Sequence, residues 1–124
     1  MIAGVGVDMI EVDRVATRIE KEAGFRELVY SKGEIEYCET KTRKFEHYAA
    51  RFAAKEAFFK ALGTGWVAGT AFNEIEIVHN EQGKPKINLL GLTADSSVVQ
   101  EISKISVSLS HLKTIATAIV ILEK

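Results

Sequence analysis

"RFAAKEAFFKALGTG", Arg51–Gly65, decides the architecture of this 124-residue chain. From Tyr48 to Leu62 every residue is apolar except Arg51, Lys55, Glu56 and Lys60. Each residue of an α-helix turns the chain by about 100°. Phe45, Ala49, Phe52 and Phe59 therefore share one arc, with Glu56 projecting from its middle and Lys60 one turn on, at its edge. A carboxylate in that position is costly unless a cation meets it. Glu56 followed by Lys60 is the favourable i,i+4 order, about 0.2–0.5 kcal/mol when exposed. That suffices on a surface, but on an apolar arc pairing rarely offsets desolvation. A hard divalent cation answers better, because magnesium takes one or two carboxylates and completes its shell with phosphate and water.

Outward from this helix, the segments fall into place in both directions. The helix is predicted from about Thr42 to Leu62, with Gly63 suited to the position after its end. Before it, "SKGEIEYCET" offers Ser31 as N-cap and Glu34 three residues on, a capping-box pattern for a short helix. "DRVATRIEKEAGFRELVY" reads as helix broken at Gly24. "IAGVGVDMIEV" reads as a strand, with Val5, Val7 and Met9 on one face and Gly4, Gly6, Asp8 and Ile10 on the other. After the glycine-rich "GTGWVAGT", "AFNEIEIVHN" and "KINLLG" form a hairpin about Gly83 and Pro85. Thr93 is expected to cap a helix reaching about Ile102. "ISVSLSH" alternates, and "IATAIVILEK", apolar on both faces, reads as a buried strand. Helices and hairpins are partly segregated, so the expected class is α+β. The expectation is a single domain over residues 1–124, its mainly antiparallel sheet wrapped on a long central helix.

Composition narrows function. The chain is 47% hydrophobic and 27% charged with net charge −1, a folded globular balance that gives no whole-molecule case for nucleic acid or an anionic membrane. Residues 41–60 carry six basic residues (Lys41, Arg43, Lys44, Arg51, Lys55, Lys60) against Glu46 and Glu56, so one face is expected to be positive. Cys38 is the only cysteine, which fits a reducing compartment. Asp8 comes too early for a signal peptide, and no apolar run approaches the roughly 20 residues of a membrane span. The expected location is cytoplasmic.

Among motifs, "GVGVD" leaves the strand face around Asp8 bare, so another backbone or a ligand can approach. It is not a dinucleotide fingerprint, since Met9 stands where the third glycine would be. "GTGWVAGT" lacks the Lys-Ser/Thr ending of a P-loop, and His47, His79 and His111 have no zinc spacing. His111 alone reads as a surface residue before a turn, and Cys38 as a packed thiol. Asp8 and Glu56 are the two acids whose surroundings single them out.

Three blocks taken together, "GVGVDMIEVDRV", "RFAAKEAFFKALGTG" and "VSLSH", resemble the holo-acyl-carrier-protein synthases, the short 4′-phosphopantetheinyl transferases, in order and over the whole chain. The resemblance implies that family's α+β transferase fold and its reaction in fatty acid biosynthesis. The 4′-phosphopantetheine of coenzyme A moves to a serine of apo-acyl carrier protein, and adenosine 3′,5′-bisphosphate leaves. It also implies Mg²⁺ on Asp8 and Glu56, Lys60 beside the pyrophosphate, and Ser110 and His111 near the coenzyme. Carrier docking on Arg14, with Arg18 and Lys21 supplying similar charge, and a homotrimer with sites at subunit interfaces complete the expectation. Two alternatives stay open: a non-catalytic module binding carrier protein or coenzyme A, and another Mg²⁺-dependent phosphate enzyme on the same scaffold.

Overall fold

The computed structural model describes residues Met1 to Lys124. Five strands and five helices follow in the order β1 (Ile2–Glu11), α1 (Val12–Lys21), α2 (Phe25–Val29), α3 (Lys32–Glu39), α4 (Lys44–Leu62), β2 (Ile75–His79), β3 (Pro85–Leu89), α5 (Gly91–Asp95), β4 (Lys104–His111) and β5 (Ile115–Glu123). β1, β5 and β4 form one antiparallel sheet in that order, and β2 pairs with β3 in a second. α4 is the axis of the fold. Gly63 closes it in the left-handed conformation, φ 81°, with its amide donating to the carbonyl of Lys60. Ala49, Ala53, Ala54 and Ala57 are fully buried, so α4 presents a nearly smooth surface.

That smooth surface explains the glycines of β1. A Cβ on Gly4 would collide with the carbonyl of Ala61, and one on Gly6 with the carbonyl of Ala57. What comes close to the bare face is therefore the backbone of α4. Apolar packing continues on both flanks. Phe58, Phe59, Ile75, Ile77, Val120 and Leu122 fill the space between α4 and the sheets. Val15, Phe25, Tyr30, Cys38 and Tyr48 fill the space between α4 and α1–α3. Each large side chain buried there contributes about 1.5–3 kcal/mol.

Several expectations require correction. The helix predicted from Thr93 to Ile102 is α5 followed by a separate 3-10 turn, Ser97–Val99. Thr93 lies inside α5, where its hydroxyl donates to Glu74 and accepts from the amide of Ala71, and Ser96 breaks the helix with ψ 140°. β5 is buried on one face only: Ala116, Ala118, Val120 and Leu122 face α4, whereas Ile115 and Ile119 are exposed. They share the outward face with Val5, Val7 and Met9, all more than half exposed. The positive face expected from residues 41–60 is weaker than the count suggests, because Arg51 and Lys55 are turned inward and fully buried.

Lys55 has found partners in the interior. Its ammonium donates to Glu34 Oε1 at 2.7 Å and to the carbonyls of Phe72 (2.9 Å) and Ile75 (2.6 Å). Glu34 also accepts from the amides of Ser31 and Ile77. The capping box of α3 is thus the anchor that ties α3, α4 and β2 together. Arg51 lacks a carboxylate. It lies over the Tyr37 ring at 4.4 Å, meets His79 Nδ1 at 3.2 Å, and leaves its Nε without a partner.

Candidate active site

β1 and α4 assemble the first cluster. Because Gly4 abuts Ala61 and Gly6 abuts Ala57, the next residue on that face, Asp8, lies further toward the start of α4. Helical side chains lean toward the helix N-terminus, so Glu56 and Lys60 reach back toward Asp8. Lys60 Nζ sits 2.9 Å from Asp8 Oδ1 and 3.1 Å from the carbonyl oxygen of Val7. Thr117, beside β1 on β5, donates its hydroxyl to the Asp8 carbonyl at 2.9 Å. Glu56 is half-buried, and its pKa is raised by burial and then by the charge of Asp8, with Lys60 opposing. The two acids singled out by sequence, 48 positions apart, are close enough for the charge of Asp8 to act on Glu56.

The chemistry of this donor set suits a hard dication. Two carboxylates converge, one of them disfavoured as an anion by burial and then by its neighbour, and oxygen ligands of this kind fit Mg²⁺. No group of three or more His, Cys, Asp and Glu in the chain is placed to hold a metal ion by itself. A cation on Asp8 and Glu56 would therefore take the rest of its shell from water and phosphate oxygens.

Ser110 and His111 stand elsewhere. β4 is separated from β1 by β5, which puts the two edge strands about 10 Å apart. His111 Nδ1 lies 3.0 Å from Glu46 Oε1, near the start of α4, and its ring is 5.5 Å from that of His47. Glu46 and Glu56 are ten residues apart on one helix, a rise of about 15 Å. Beside Glu46 opens a cleft of about 480 Å³ whose walls include Lys41, Arg43, Lys44 and Lys113. Within one chain, then, Asp8, Glu56 and Lys60 form one cluster and His111 belongs to a second, the two joined by α4, while Ser110 faces the outward side of the sheet with Met9. On α1, Arg14, Arg18 and Lys21 are all exposed, but Arg18 is held by Glu22 at 3.1 Å and lies over Phe25.

Sequence reasoning missed the buried Lys55–Glu34 pair and the Arg51–His79 contact. The Ser31/Glu34 capping box was legible, but nothing local to it announced a second role for Glu34 across the fold. Three of the cleft's four basic residues, Lys41, Arg43 and Lys44, lie in the "KTRK" segment, which the sequence offered only as charge, and the fourth, Lys113, lies in the turn before β5.

Residues 4–120 match the 4′-phosphopantetheinyl transferase superfamily. The chain belongs to that superfamily. The matched span takes in Asp8, Glu56, Lys60, Ser110 and His111, so both clusters fall inside it. The chain is 46% identical over 130 residues to the holo-[acyl-carrier-protein] synthase of Cytophaga hutchinsonii, covering 100% of this chain and 99% of that one. Among solved superfamily structures, holo-[acyl-carrier-protein] synthase from Neisseria meningitidis superposes with TM-score 0.89 at 31% identity, over 100% of both chains. A holo-(acyl-carrier-protein) synthase from Bacillus anthracis, in complex with CoA (3′,5′-ADP), superposes with TM-score 0.81 at 34% identity over 98% and 96% of the two chains. The α+β fold with its antiparallel sheet on a central helix is the superfamily fold.

Proposed function

We propose that this protein is a holo-acyl-carrier-protein synthase, transferring 4′-phosphopantetheine from coenzyme A to a serine of apo-acyl carrier protein in fatty acid biosynthesis. The observation that carries the reading is the meeting of Asp8, Glu56 and Lys60 at one point of a fold shared end to end with enzymes of that name. The serine hydroxyl must attack phosphorus in a diphosphate that is already anionic. Asp8 and Glu56 hold Mg²⁺ in this reading, and the bound ion supplies positive charge to the diphosphate and its departing oxygens. Lys60, on the same turn-to-turn face as Glu56, neutralises the same phosphates and stabilises or protonates the leaving group. Glu56, directly or through a water it orients, accepts the serine proton.

The second cluster supports the coenzyme assignment of His111, whose partner Glu46 lines the cleft with Lys41, Arg43, Lys44 and Lys113, a setting suited to further phosphate; Ser110, the next residue of the strand, faces the other side of the sheet with Met9. The exposed basic residues of α1, Arg14 and Lys21 above all, are the proposed docking face for the acidic carrier protein. A homotrimer is proposed from the outward face of the β1–β5–β4 sheet, where Val5, Val7, Met9, Ile115 and Ile119 stand exposed together. An interface there would let the basic cleft beside one subunit's Glu46 complete another's Asp8 cluster. No helix is long and apolar enough to cross a membrane, and the lone buried thiol of Cys38 suits the reducing cytoplasm.

The test is direct. The protein is incubated with Mg²⁺, coenzyme A and apo-carrier, and the carrier is weighed. A mass gain of one phosphopantetheine, abolished by EDTA, is expected. A stable complex without mass gain would mark a binding module instead, and neither result would point to another phosphate chemistry.

A further inference from the structure

Lys60 occupies the place where a cation on Asp8 would sit. Its ammonium is 2.9 Å from Asp8 Oδ1 and 3.1 Å from the carbonyl of Val7, while the rest of the side chain is exposed. Asp8 and Lys60 are the charges that act on Glu56, in opposite directions. The cluster therefore holds two carboxylates and one ammonium. A dication added to Asp8, whether at Oδ1 or at the other carboxylate oxygen, comes to lie beside the Lys60 ammonium, with more positive than negative charge around them. A diphosphate removes that difficulty. It gives Lys60 a new anionic partner and offers oxygens to the dication.

We propose that Lys60 is a tethered, displaceable counter-ion for Asp8, so that the dication and the phosphate donor load cooperatively rather than one before the other. The inference rests on the Asp8–Glu56 reading above and names how that site is regulated. With no donor present, Lys60 competes with the metal, and the pair of acids stays neutralised enough to remain assembled. With donor present, Lys60 swings off Asp8 onto phosphate. The exposed stem allows that movement, since only its tip is held. Thermodynamic reciprocity then requires the metal to tighten donor binding by the same factor as the donor tightens metal binding.

The test is titration of Mn²⁺ as a paramagnetic probe, read by EPR, into wild-type protein and Lys60→Met, each with and without coenzyme A. Because Lys60 is exposed, the variant is expected to keep its fold, checked by circular dichroism. Without coenzyme A, Lys60→Met should bind Mn²⁺ about five- to tenfold more tightly than the wild type, the scale of one charge-assisted contact at a partly screened site. Coenzyme A should strengthen Mn²⁺ binding by a larger factor in the wild type than in the variant. Equal or weaker Mn²⁺ binding by Lys60→Met in the absence of coenzyme A overturns the proposal. If neither protein binds Mn²⁺ even with coenzyme A, the Asp8–Glu56 reading falls and this one with it.

Discussion

Asp8 and Lys60 are 52 residues apart in the chain and 2.9 Å apart in space. Nothing in the spacing of either residue could predict that distance. What the sequence did carry was the anomaly: an acid in the middle of an apolar arc, and a bare strand face ending at another acid. Lys55, the immediate neighbour of Glu56, shows the opposite case. It reads as one more basic residue of a charged segment, yet it is fully buried against Glu34. A buried ion pair stands or falls as a unit, because removing one partner strands the other charge. Lys55→Met should therefore destabilise the protein by about 3–5 kcal/mol, measured by urea unfolding. Adding Glu34→Gln should recover part of that loss. A loss below about 1 kcal/mol for the single substitution would show that the pair does not anchor α4.

At the scale of elements, β1 and α4 are fitted to each other by subtraction of side chains. Gly4 and Gly6 on one side and Ala57 and Ala61 on the other let two backbones touch, and that contact sets Asp8 beside α4. Gly6→Ala would push a methyl group into the Ala57 carbonyl. The expected cost is about 2–3 kcal/mol of overpacking, seen as a lower Tm, together with reduced transfer activity from a shifted Asp8. Unchanged Tm would refute the close fit. The elements themselves were largely readable: the long helix, its Gly63 end, the α3 capping box and the β2–β3 hairpin follow local rules. The Thr93 helix was misread because the hydroxyl is spent on Glu74, a tertiary contact. β5 was misread because hydrophobic periodicity cannot separate a strand buried on both faces from one whose second face is apolar and open. A further consequence follows where α3, α4 and β2 meet. Arg51, unpaired by any carboxylate, faces His79 and His47, with Lys41 near both, His111 beside His47, and only Glu46 opposing at His47. Burial first and Arg51 second lower the pKa of both histidines below the ordinary 6.5. The folded state thus prefers them neutral. Their contribution to stability is present above about pH 6.5 and is lost as pH falls through the lowered values. Tm should drop between pH 7.5 and 5.5, and less so in His79→Gln. Parallel pH curves for the two proteins would contradict this.

The whole molecule presents an apolar sheet face whose exposure a single chain does not explain. Val7, Met9 and Ile119 belong to a side of the β1–β5–β4 sheet that no helix covers. Val7→Glu should shift the species seen by light scattering from trimer to monomer and lower activity, leaving far-ultraviolet dichroism unchanged. A wild type that is monomeric at micromolar concentration would remove the trimer from the account. Net charge of −1 turned attention from nucleic acid, and the count over residues 41–60 overstated the positive charge that reaches the surface. A sum of charges along a helix ignores which way each side chain faces, and Arg51 and Lys55 face in.

Intact-mass kinetics of carrier modification by Glu56→Gln, set beside the wild type at saturating Mg²⁺ and coenzyme A, measure the proposed site most directly. The substitution keeps the side chain's volume and removes the charge that Asp8 and Lys60 surround. The variant should fold normally and transfer phosphopantetheine at least about a hundredfold more slowly. A correctly folded Glu56→Gln that modifies the carrier at the wild-type rate would contradict the assignment.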